Sequence, residues 1–172
     1  MPKPTSPVLE AIYNRRSIRE FTDAPISPDT IYEIINAGIW APSGLNNQPW
    51  RFVVVGGKTI RDNLAQLTKY SHIISQSQIC IAVYLDKKVM YNDVKDHQAA
   101  GACIQNMLLA AEACGLGAVW LGQILANKDQ VNDLLGLDSN YDLMAVLALG
   151  HPKHHNQKSK RKELKKFILN EL

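Results

Sequence analysis

Two short segments of the chain carry residue types that could hold a phosphorylated heterocycle. Residues 15–19 place three arginines and one serine within five positions, and residues 41–50 form a proline-bracketed stretch of hydroxyl, amide and glycine groups. Arginine presents a planar fork that matches phosphate oxygens two at a time, while amide side chains read both donor and acceptor edges of a heterocycle. Each segment alone is also typical of an ordinary basic or polar turn. Together they indicate a phosphate clamp beside neutral hydrogen-bonding groups.

Two helices are predicted to position these segments. Ser6-Pro7 and Ser27-Pro28 each combine a capping hydroxyl with a proline at the first helical position. The first helix should end at the arginines. The second should end at Ala41, because a residue before proline disfavours the helical conformation. Both candidate binding segments are therefore expected directly after helix ends.

The rest of the chain is predicted to alternate strands and helices without a regular βαβ rhythm, which indicates an α+β fold. Short β-branched or apolar runs bounded by turn residues predict four strands, at 52–55, 79–85, 119–121 and 143–149. Apolar spacing predicts helices at 58–69 and 127–135. The stretches 70–74 and 86–97 are interpreted as lid regions, because the second is charged and irregular.

Residues 98–114 predict a long helix that is apolar nearly all round. Such a helix must be buried on most of its faces, and one partner layer is hardly enough in a chain of 172 residues. Small residues at 99–102 also permit close helix approach. We therefore expect a central helix that also meets a second subunit; the alternative is the central helix of a monomer.

The composition is that of one globular domain spanning residues 1–172, with 46% hydrophobic and 20% charged residues. No apolar run reaches the roughly 18 residues of a membrane span, and the first ten residues lack the apolar core of a signal peptide. The three cysteines lie in apolar stretches without CxxC spacing, which is typical of buried thiols in a reducing compartment. These features predict a cytoplasmic protein with no membrane partner.

Basic residues are concentrated at the C-terminus. From residue 151 onward seven basic residues oppose two acidic ones, so the net charge of +3 leaves about −2 for the rest of the chain. Such a tail can bind nucleic acid, but apolar residues at helix-like spacing between 164 and 172 favour partial packing and no nucleic-acid partner. The histidines at 151–155 lack cysteine or carboxylate partners, so no metal site is expected.

The ordered motifs of this chain resemble those of the nitroreductase family of flavin enzymes. The family pattern RRSxRxF corresponds to residues 15–21, and APSxxNxQPW corresponds to residues 41–50. A third element, GLGAVWLG, lies at 115–122, and a C-terminal basic residue is present as Arg161. The resemblance runs from about residue 5 to the C-terminus. It implies a mainly antiparallel sheet flanked by helices, built as an intertwined homodimer.

The resemblance also implies bound FMN at the interface between the two subunits. Arg15, Arg16 and Ser17 correspond to residues that hold the phosphate, and Arg161 corresponds to a basic residue that returns to it. Arg19 corresponds to a basic residue beside the flavin pyrimidine, where a cation stabilises reduced flavin. The segment that reaches the flavin of the other subunit corresponds to Pro42, Ser43 and Asn46. The segment that lies against the isoalloxazine corresponds to Trp120, Leu121 and Gly122. For Trp120, a core indole is an equally open interpretation.

The implied reaction is hydride transfer from NADH or NADPH to flavin N5, and then to a small organic acceptor such as a nitroaromatic or a quinone, by ping-pong turnover. The flavin carries the chemistry, so no side chain is assigned a catalytic role. Two alternatives stay open: an enzyme of the same fold with different flavin chemistry, such as dehalogenation or flavin cleavage, and a non-enzymatic flavin-holding or regulatory module. The choice between NADH and NADPH and the identity of the acceptor are also open.

Overall fold

Helices and strands alternate along the computed structural model, which describes residues 6–172. The helices of that part of the chain are α1 Pro7–Asn14, α2 Pro28–Ile39, α3 Lys58–Ala65, α4 Ser71–Gln76, α5 Asp93–Ala113 and α6 Lys128–Leu135. The strands are β1 Trp50–Val55, β2 Ile79–Asp86, β3 Gly117–Leu121 and β4 Tyr141–Gly150. The predicted α+β class is confirmed. Within residues 6–172, none of the helices has the length and apolar character needed to cross a membrane.

The four strands form one antiparallel sheet in the order β1-β2-β4-β3. Successive side chains of a strand point to opposite faces, so Ile81 and Val83 of β2 belong to one core cluster and Ala82 and Tyr84 to another. The first cluster includes residues of α2 and α5, and the second includes residues of α3, α4 and α6. The sheet is therefore buried on both faces, between two helical layers.

Both predicted capping serines act as caps. The Ser6 side-chain oxygen accepts a hydrogen bond from the Leu9 backbone N–H at 3.3 Å, and the Ser27 side-chain oxygen accepts one from Thr30 at 3.1 Å. The long helix α5 ends by a different signal: Gly115, just after it, adopts a φ of 73°, a left-handed conformation. The two serine caps explain why the predicted helix starts at 7 and 28 are correct.

The central helix is longer than predicted and packs closely against α2. It begins at Asp93 rather than Gln98, and its residues Cys103 and Met107 are fully buried. A β-carbon on Gly38 of α2 would lie 2.7 Å from Met107 Cγ, so only glycine permits this helix approach. The contact places the loop that follows α2 next to the first turns of α5.

Three other expectations are wrong in detail. The helix predicted at 58–69 ends at Ala65, and the stretch 70–74 is not a lid. That stretch belongs largely to α4, whose Ile73 and Ile74 are fully buried in the core beneath the sheet. In the second predicted lid, 86–97, residues from Asp93 onward are already helical. Only a short turn therefore remains beside the candidate site.

The C-terminal segment, residues 151–172, does not pack as expected within one chain. It has a single short 3-10 turn at Leu164–Lys166, and every residue from 158 onward is exposed. The apolar side chains that were expected to pack all lie in solvent, namely Leu164, Phe167, Ile168 and Leu172. The organisation of residues 1–172 as a single domain stays a prediction.

Candidate functional site

The segment with three arginines is fixed against the edge of the sheet. After α1 it runs beside β3, where the Ile18 backbone N–H donates to the Ala118 carbonyl at 3.1 Å. A β-carbon on Gly117 would lie 2.7 Å from Ile18, so the absence of a side chain there allows the close approach. The segment is thus an extra, short partner of the outermost strand.

The residues just after the arginines, Glu20 and Thr22, bind the start of the C-terminal segment. The Thr22 backbone N–H donates to the His151 carbonyl at 2.9 Å, and the Lys153 backbone N–H donates to the Glu20 carbonyl at 3.0 Å. These two bonds direct the chain after β4 back past the arginines. They explain how residues about 130 positions apart in sequence come together.

Cationic side chains from both ends of the chain line one cavity of about 400 Å³. Its walls consist of Arg15, Arg16, Ser17, Arg19, Gln157, Lys158, Ser159 and Arg161. The structure therefore brings together the four residues that the resemblance implied for the phosphate end of a cofactor, Arg15, Arg16, Ser17 and Arg161, and places Arg19 on the same cavity wall. We call Arg15, Arg16, Arg19 and Arg161 the arginine cluster.

None of the salt bridges found within residues 6–172 includes a member of the arginine cluster. Arg16 donates through Nη1 to the carbonyls of Tyr13 and Arg15, at 2.6 and 2.9 Å, while its buried Nε has no hydrogen-bond partner. A buried, unpaired donor is costly. An anion with several acceptor oxygens would satisfy it.

Charge repulsion within the cluster is visible at Arg15. Burial lowers the pKa of this guanidinium; the Glu112 carboxylate opposes that effect, and the positive charges of Arg16 and Arg161 lower the pKa further. Like charges held this close favour a bound anion between them. A cavity lined by this many positive charges can bind an anion such as a phosphate.

The Ser43 loop, residues 42–49, is built from an unusual backbone. Leu45, Asn46 and Gln48 adopt φ angles of 54°, 54° and 47°, a left-handed region that is uncommon for residues other than glycine. Ser43 stabilises the turn, because its side-chain oxygen accepts from the Gln48 backbone N–H at 3.1 Å. Strained backbone of this kind persists only where surrounding contacts hold it, and it is concentrated at functional sites.

Those surrounding contacts converge on a buried carboxylate, Asp96. One of its oxygens accepts from Asn47 Nδ2 at 2.7 Å, and the other accepts from the backbone N–H groups of Tyr91 and Asn92, both at 2.9 Å. Burial alone would raise the pKa of Asp96, but these hydrogen bonds and the nearby His97 outweigh it and hold the pKa below its usual value. Asp96 thus ties the Ser43 loop to the turn before α5.

A second cavity, of about 330 Å³, lies beside the Ser43 loop and is distinct from that of the arginine cluster. It is lined by Pro42, Ser43, Gly44, Tyr91, Lys95, Gln98, Ala99 and Ala102. No residue lines both cavities. Asn46 is exposed and lines neither of them. Within one chain, the segment implied to reach the flavin of the other subunit therefore does not meet the arginine cluster.

The third implied segment lies at the end of β3, next to the arginine segment. Trp120 is 41% exposed, so its indole is not a core side chain. Leu121 is buried in the core, which leaves only its backbone available to a ligand at the surface. Gly122 follows directly, and a β-carbon there would be 3.9 Å from Trp120 Nε1. An exposed indole and open backbone thus lie together at this sheet edge.

Sequence reasoning missed Tyr91, Lys95 and Asp96, because the stretch 86–97 was interpreted as an irregular lid. A signal was present: Asn92 is a good capping residue followed by acids in the first turn. Its side-chain oxygen accepts from the Lys95 backbone N–H at 3.1 Å, as a helix cap does. The helix start could have been predicted, but the contact from Asp96 to Asn47, 49 positions away, could not.

Comparison with known proteins agrees with the motifs. The model of the Nitroreductase family matches residues 12–76 and 65–151. A protein of Archaeoglobus fulgidus named NADH dehydrogenase/NAD(P)H nitroreductase is 34% identical over 149 residues, which cover 84% of this chain and 85% of that protein. A Desulfovibrio desulfuricans protein, described as a nitroreductase in complex with FMN, is 48% identical, with a TM-score of 0.94 over 98% of this chain and 99% of its own. The NADPH:FMN oxidoreductase of Vibrio harveyi, solved with NAD+, has a TM-score of 0.88 at 28% identity, over 96% and 77%.

Proposed function

The chain belongs to the nitroreductase family, and on that premise we propose that it is an FMN-dependent oxidoreductase using NADH or NADPH to reduce a small organic acceptor. The observation that carries the proposal is the arginine cluster, in which four guanidinium groups line one cavity and none of them forms a salt bridge found within residues 6–172. The names of the relatives support the donor and the cofactor.

The residues present fit FMN. The buried Nε of Arg16 lacks a partner, and a phosphate oxygen would satisfy it. Ser17 and Arg161 line the same cavity and would complete the clamp, since charge-assisted bonds to phosphate are among the strongest in proteins. Arg19, also in this cavity, would add positive charge that favours a reduced, anionic cofactor.

Bound FMN would supply a hydride acceptor that can later reduce a second substrate in the same pocket, the basis of ping-pong turnover. The chain's own residues then hold and orient the cofactor rather than transfer protons. Trp120, exposed at the sheet edge, and the backbone of Leu121 and Gly122 would bound the ring system. This division of labour requires no catalytic acid or base from the protein.

We further propose that the functional unit is a homodimer with one flavin at each shared cleft. The separation of the two cavities within one chain supports this, because a second copy would bring the Ser43 loop of one chain to the arginine cluster of the other. A wide apolar groove of about 450 Å³ between α1, α2 and α5 also favours association, and Trp40 on its wall is 81% exposed. The exposed apolar residues of the C-terminal segment add surface that a second copy could cover.

An anaerobic spectrum tests the proposal. Protein loaded with FMN is titrated with NADH and with NADPH, and the flavin absorbance is followed before and after addition of an acceptor such as a quinone. Bleaching by a nicotinamide donor followed by recovery with the acceptor is expected. A yellow protein that neither donor bleaches would instead indicate a flavin-holding module, and a protein that takes up no FMN would contradict the proposal altogether.

A further inference from the structure

The cavity beside the Ser43 loop has a chemical character that differs from the arginine cluster. One wall is neutral loop, formed by residues 42–44, and the other combines an aromatic ring, a cation and an amide, from Tyr91, Lys95 and Gln98. At about 330 Å³ its volume lies at the lower end of the range typical of small-molecule sites. A cavity of this size and composition can hold one small molecule.

Lys95 brings a positive charge to this cavity, and no salt bridge found within residues 6–172 neutralises it. Lys95 Nζ lies 5.4 Å from the centroid of the Tyr91 ring, which is within the range of a cation–π contact. No salt bridge found within residues 6–172 includes Lys95. The ammonium group is therefore held over an aromatic ring at the cavity wall and is available to an anionic ligand.

The two walls are fixed relative to one another before any ligand arrives. A β-carbon on Gly44 would overlap the Tyr91 hydroxyl, so ring and loop are in close contact. Asp96, fully buried, binds Asn47 of the loop and the backbone of Tyr91 with the same carboxylate. Preorganised walls lower the cost of ordering a ligand.

The geometry points to a subsite for a planar aromatic acceptor that carries an anionic group such as a carboxylate. Tyr91 offers an aromatic side chain for contact with the ring, and Lys95 offers a charge partner for the anion. This inference rests on the proposed function, because the subsite would adjoin the flavin bound across the subunit interface. It narrows the acceptor from any nitroaromatic or quinone to those with a negative charge.

Binding of unreactive analogues tests the subsite without turnover. Benzoate and benzamide have nearly the same shape and differ in charge, and neither accepts hydride. Their dissociation constants are measured by calorimetry on FMN-loaded protein, whose flavin content is first checked by absorbance. We expect benzoate to bind about fivefold more tightly than benzamide, since an exposed charge pair contributes modestly. The preference should fall as salt is added.

Matched variants assign that preference to its residues. Lys95→Met should remove the preference, so that both analogues bind within twofold of one another. Lys88→Met is the control, because Lys88 lies in the preceding turn and does not line the cavity. Tyr91→Phe should keep the affinity for both analogues, whereas Tyr91→Leu should weaken both, as the aromatic face is lost.

Turnover then links the subsite to the reaction. The ratio of kcat/KM for 4-nitrobenzoate to that for 4-nitrobenzamide should drop about fivefold in Lys95→Met and stay unchanged in Lys88→Met. An unchanged ratio in Lys95→Met, or a loss that appears only in KM for NADPH, would overturn the inference and leave the oxidoreductase intact. Failure of the wild-type flavin to bleach with either donor would instead contradict the proposed function.

Discussion

The arginine cluster draws its character from charge, whereas the Ser43 loop draws its character from fixed backbone geometry. In the cluster, guanidinium groups contact mainly nearby carbonyls, and Arg161 stands on an exposed segment. In the loop, three left-handed residues are held by side-chain bonds from Ser43 and from the buried Asp96. The two regions of one chain thus use different means to prepare a binding surface.

The difference follows from what each region would bind. A phosphate can be bound by flexible arginine side chains, because the attraction between charges acts over several ångströms and tolerates small errors in position. A flat ring system and its redox partner need walls at a defined spacing. Substitutions in the cluster should therefore affect binding and leave folding unchanged, while substitutions in the loop should affect both.

The largest effect is expected from removing two members of the cluster. Arg16→Ala with Arg161→Ala should weaken FMN binding by on the order of 100-fold or more, because two charge-assisted bonds to phosphate are lost. The apoprotein should unfold at an unchanged urea concentration. Flavin fluorescence titration and urea unfolding measure the two quantities. Lys165→Ala is the matched control, since that tail lysine pairs with Glu163 at 3.0 Å and lies outside the cavity.

A substitution in the loop should act on stability as well. Gly44→Val would force Tyr91 away, because even a β-carbon at that position overlaps its hydroxyl. We expect a loss of about 2 kcal/mol in the free energy of unfolding, together with weaker flavin binding. Gly57→Thr is the control, since a β-carbon on Gly57 meets nothing within 4 Å, threonine has the shape of valine, and threonine and glycine serve similarly at the helix N-cap that Gly57 occupies. Equal stability of the two variants would remove the contrast between the regions.

Asp96→Asn tests whether the carboxylate holds the loop. An amide at 96 would set a donor against Asn47 Nδ2, so the unfolding free energy should fall by about 2 kcal/mol. The double variant Asn47→Asp/Asp96→Asn restores a donor–acceptor pair between positions 47 and 96. Because it gives up the bond from Asn47 Nδ2 to the Val89 carbonyl at 3.2 Å, it should recover only part of that loss. No recovery in the double-mutant cycle would mean that Asn47 and Asp96 are not coupled.

The pH dependence of the same variant follows from the lowered pKa of Asp96. A carboxylate with a lowered pKa stabilises the fold fully above its unfolded value, here 3.8, and loses that contribution as the pH falls through the lower folded value. The difference in stability between wild type and Asp96→Asn should therefore be constant near neutral pH and shrink below pH 3.8. Urea unfolding at a series of pH values measures it, and a difference that persists at acid pH would contradict the assignment.

The smallest effect is expected at Tyr84, a reference outside both regions. Its hydroxyl is buried without a hydrogen-bond partner, and burial raises its pKa to about 12. Unlike Arg16, it belongs to the packed core rather than to a cavity wall of the arginine cluster. Tyr84→Phe should therefore raise the unfolding free energy by about 1 kcal/mol and leave FMN binding unchanged. Weaker FMN binding in this variant would show that the Tyr84 hydroxyl in the core also contributes to the cofactor site.

Local signals predicted much of the fold. Capping serines before prolines set the starts of α1 and α2, and β-branched runs located the strands to within a few residues. The helix α4 was missed because it has only six residues, and its two isoleucines are buried by tertiary contacts that no local pattern reports. The C-terminal segment was expected to pack because its apolar residues have helix-like spacing, but it is exposed. Spacing alone does not reveal whether an apolar surface is covered by the same chain.

The candidate site was predictable in residue type more than in arrangement. The arginines and Arg161 were grouped in advance by the family motifs, and the structure brings them into one cavity. The left-handed backbone at Leu45 and Gln48 has no such signal, because neither residue favours that conformation. The cavity of Tyr91 and Lys95 depends on long-range contacts through Asp96, which only the folded chain displays.

Mixing two defective chains tests most directly whether the cluster of one copy and the loop of another form a single site. Arg16→Ala/Arg161→Ala chains retain an intact loop, and Gly44→Val chains retain an intact cluster. After unfolding and refolding together in equal amounts, half of the dimers should be mixed, and each mixed dimer should contain one intact site. At an FMN concentration that saturates wild-type protein but neither variant, each variant alone should be nearly inactive, and we expect activity of the mixture to recover to about a quarter of the wild-type value. A mixture no more active than its separate components would show that the site lies within one chain.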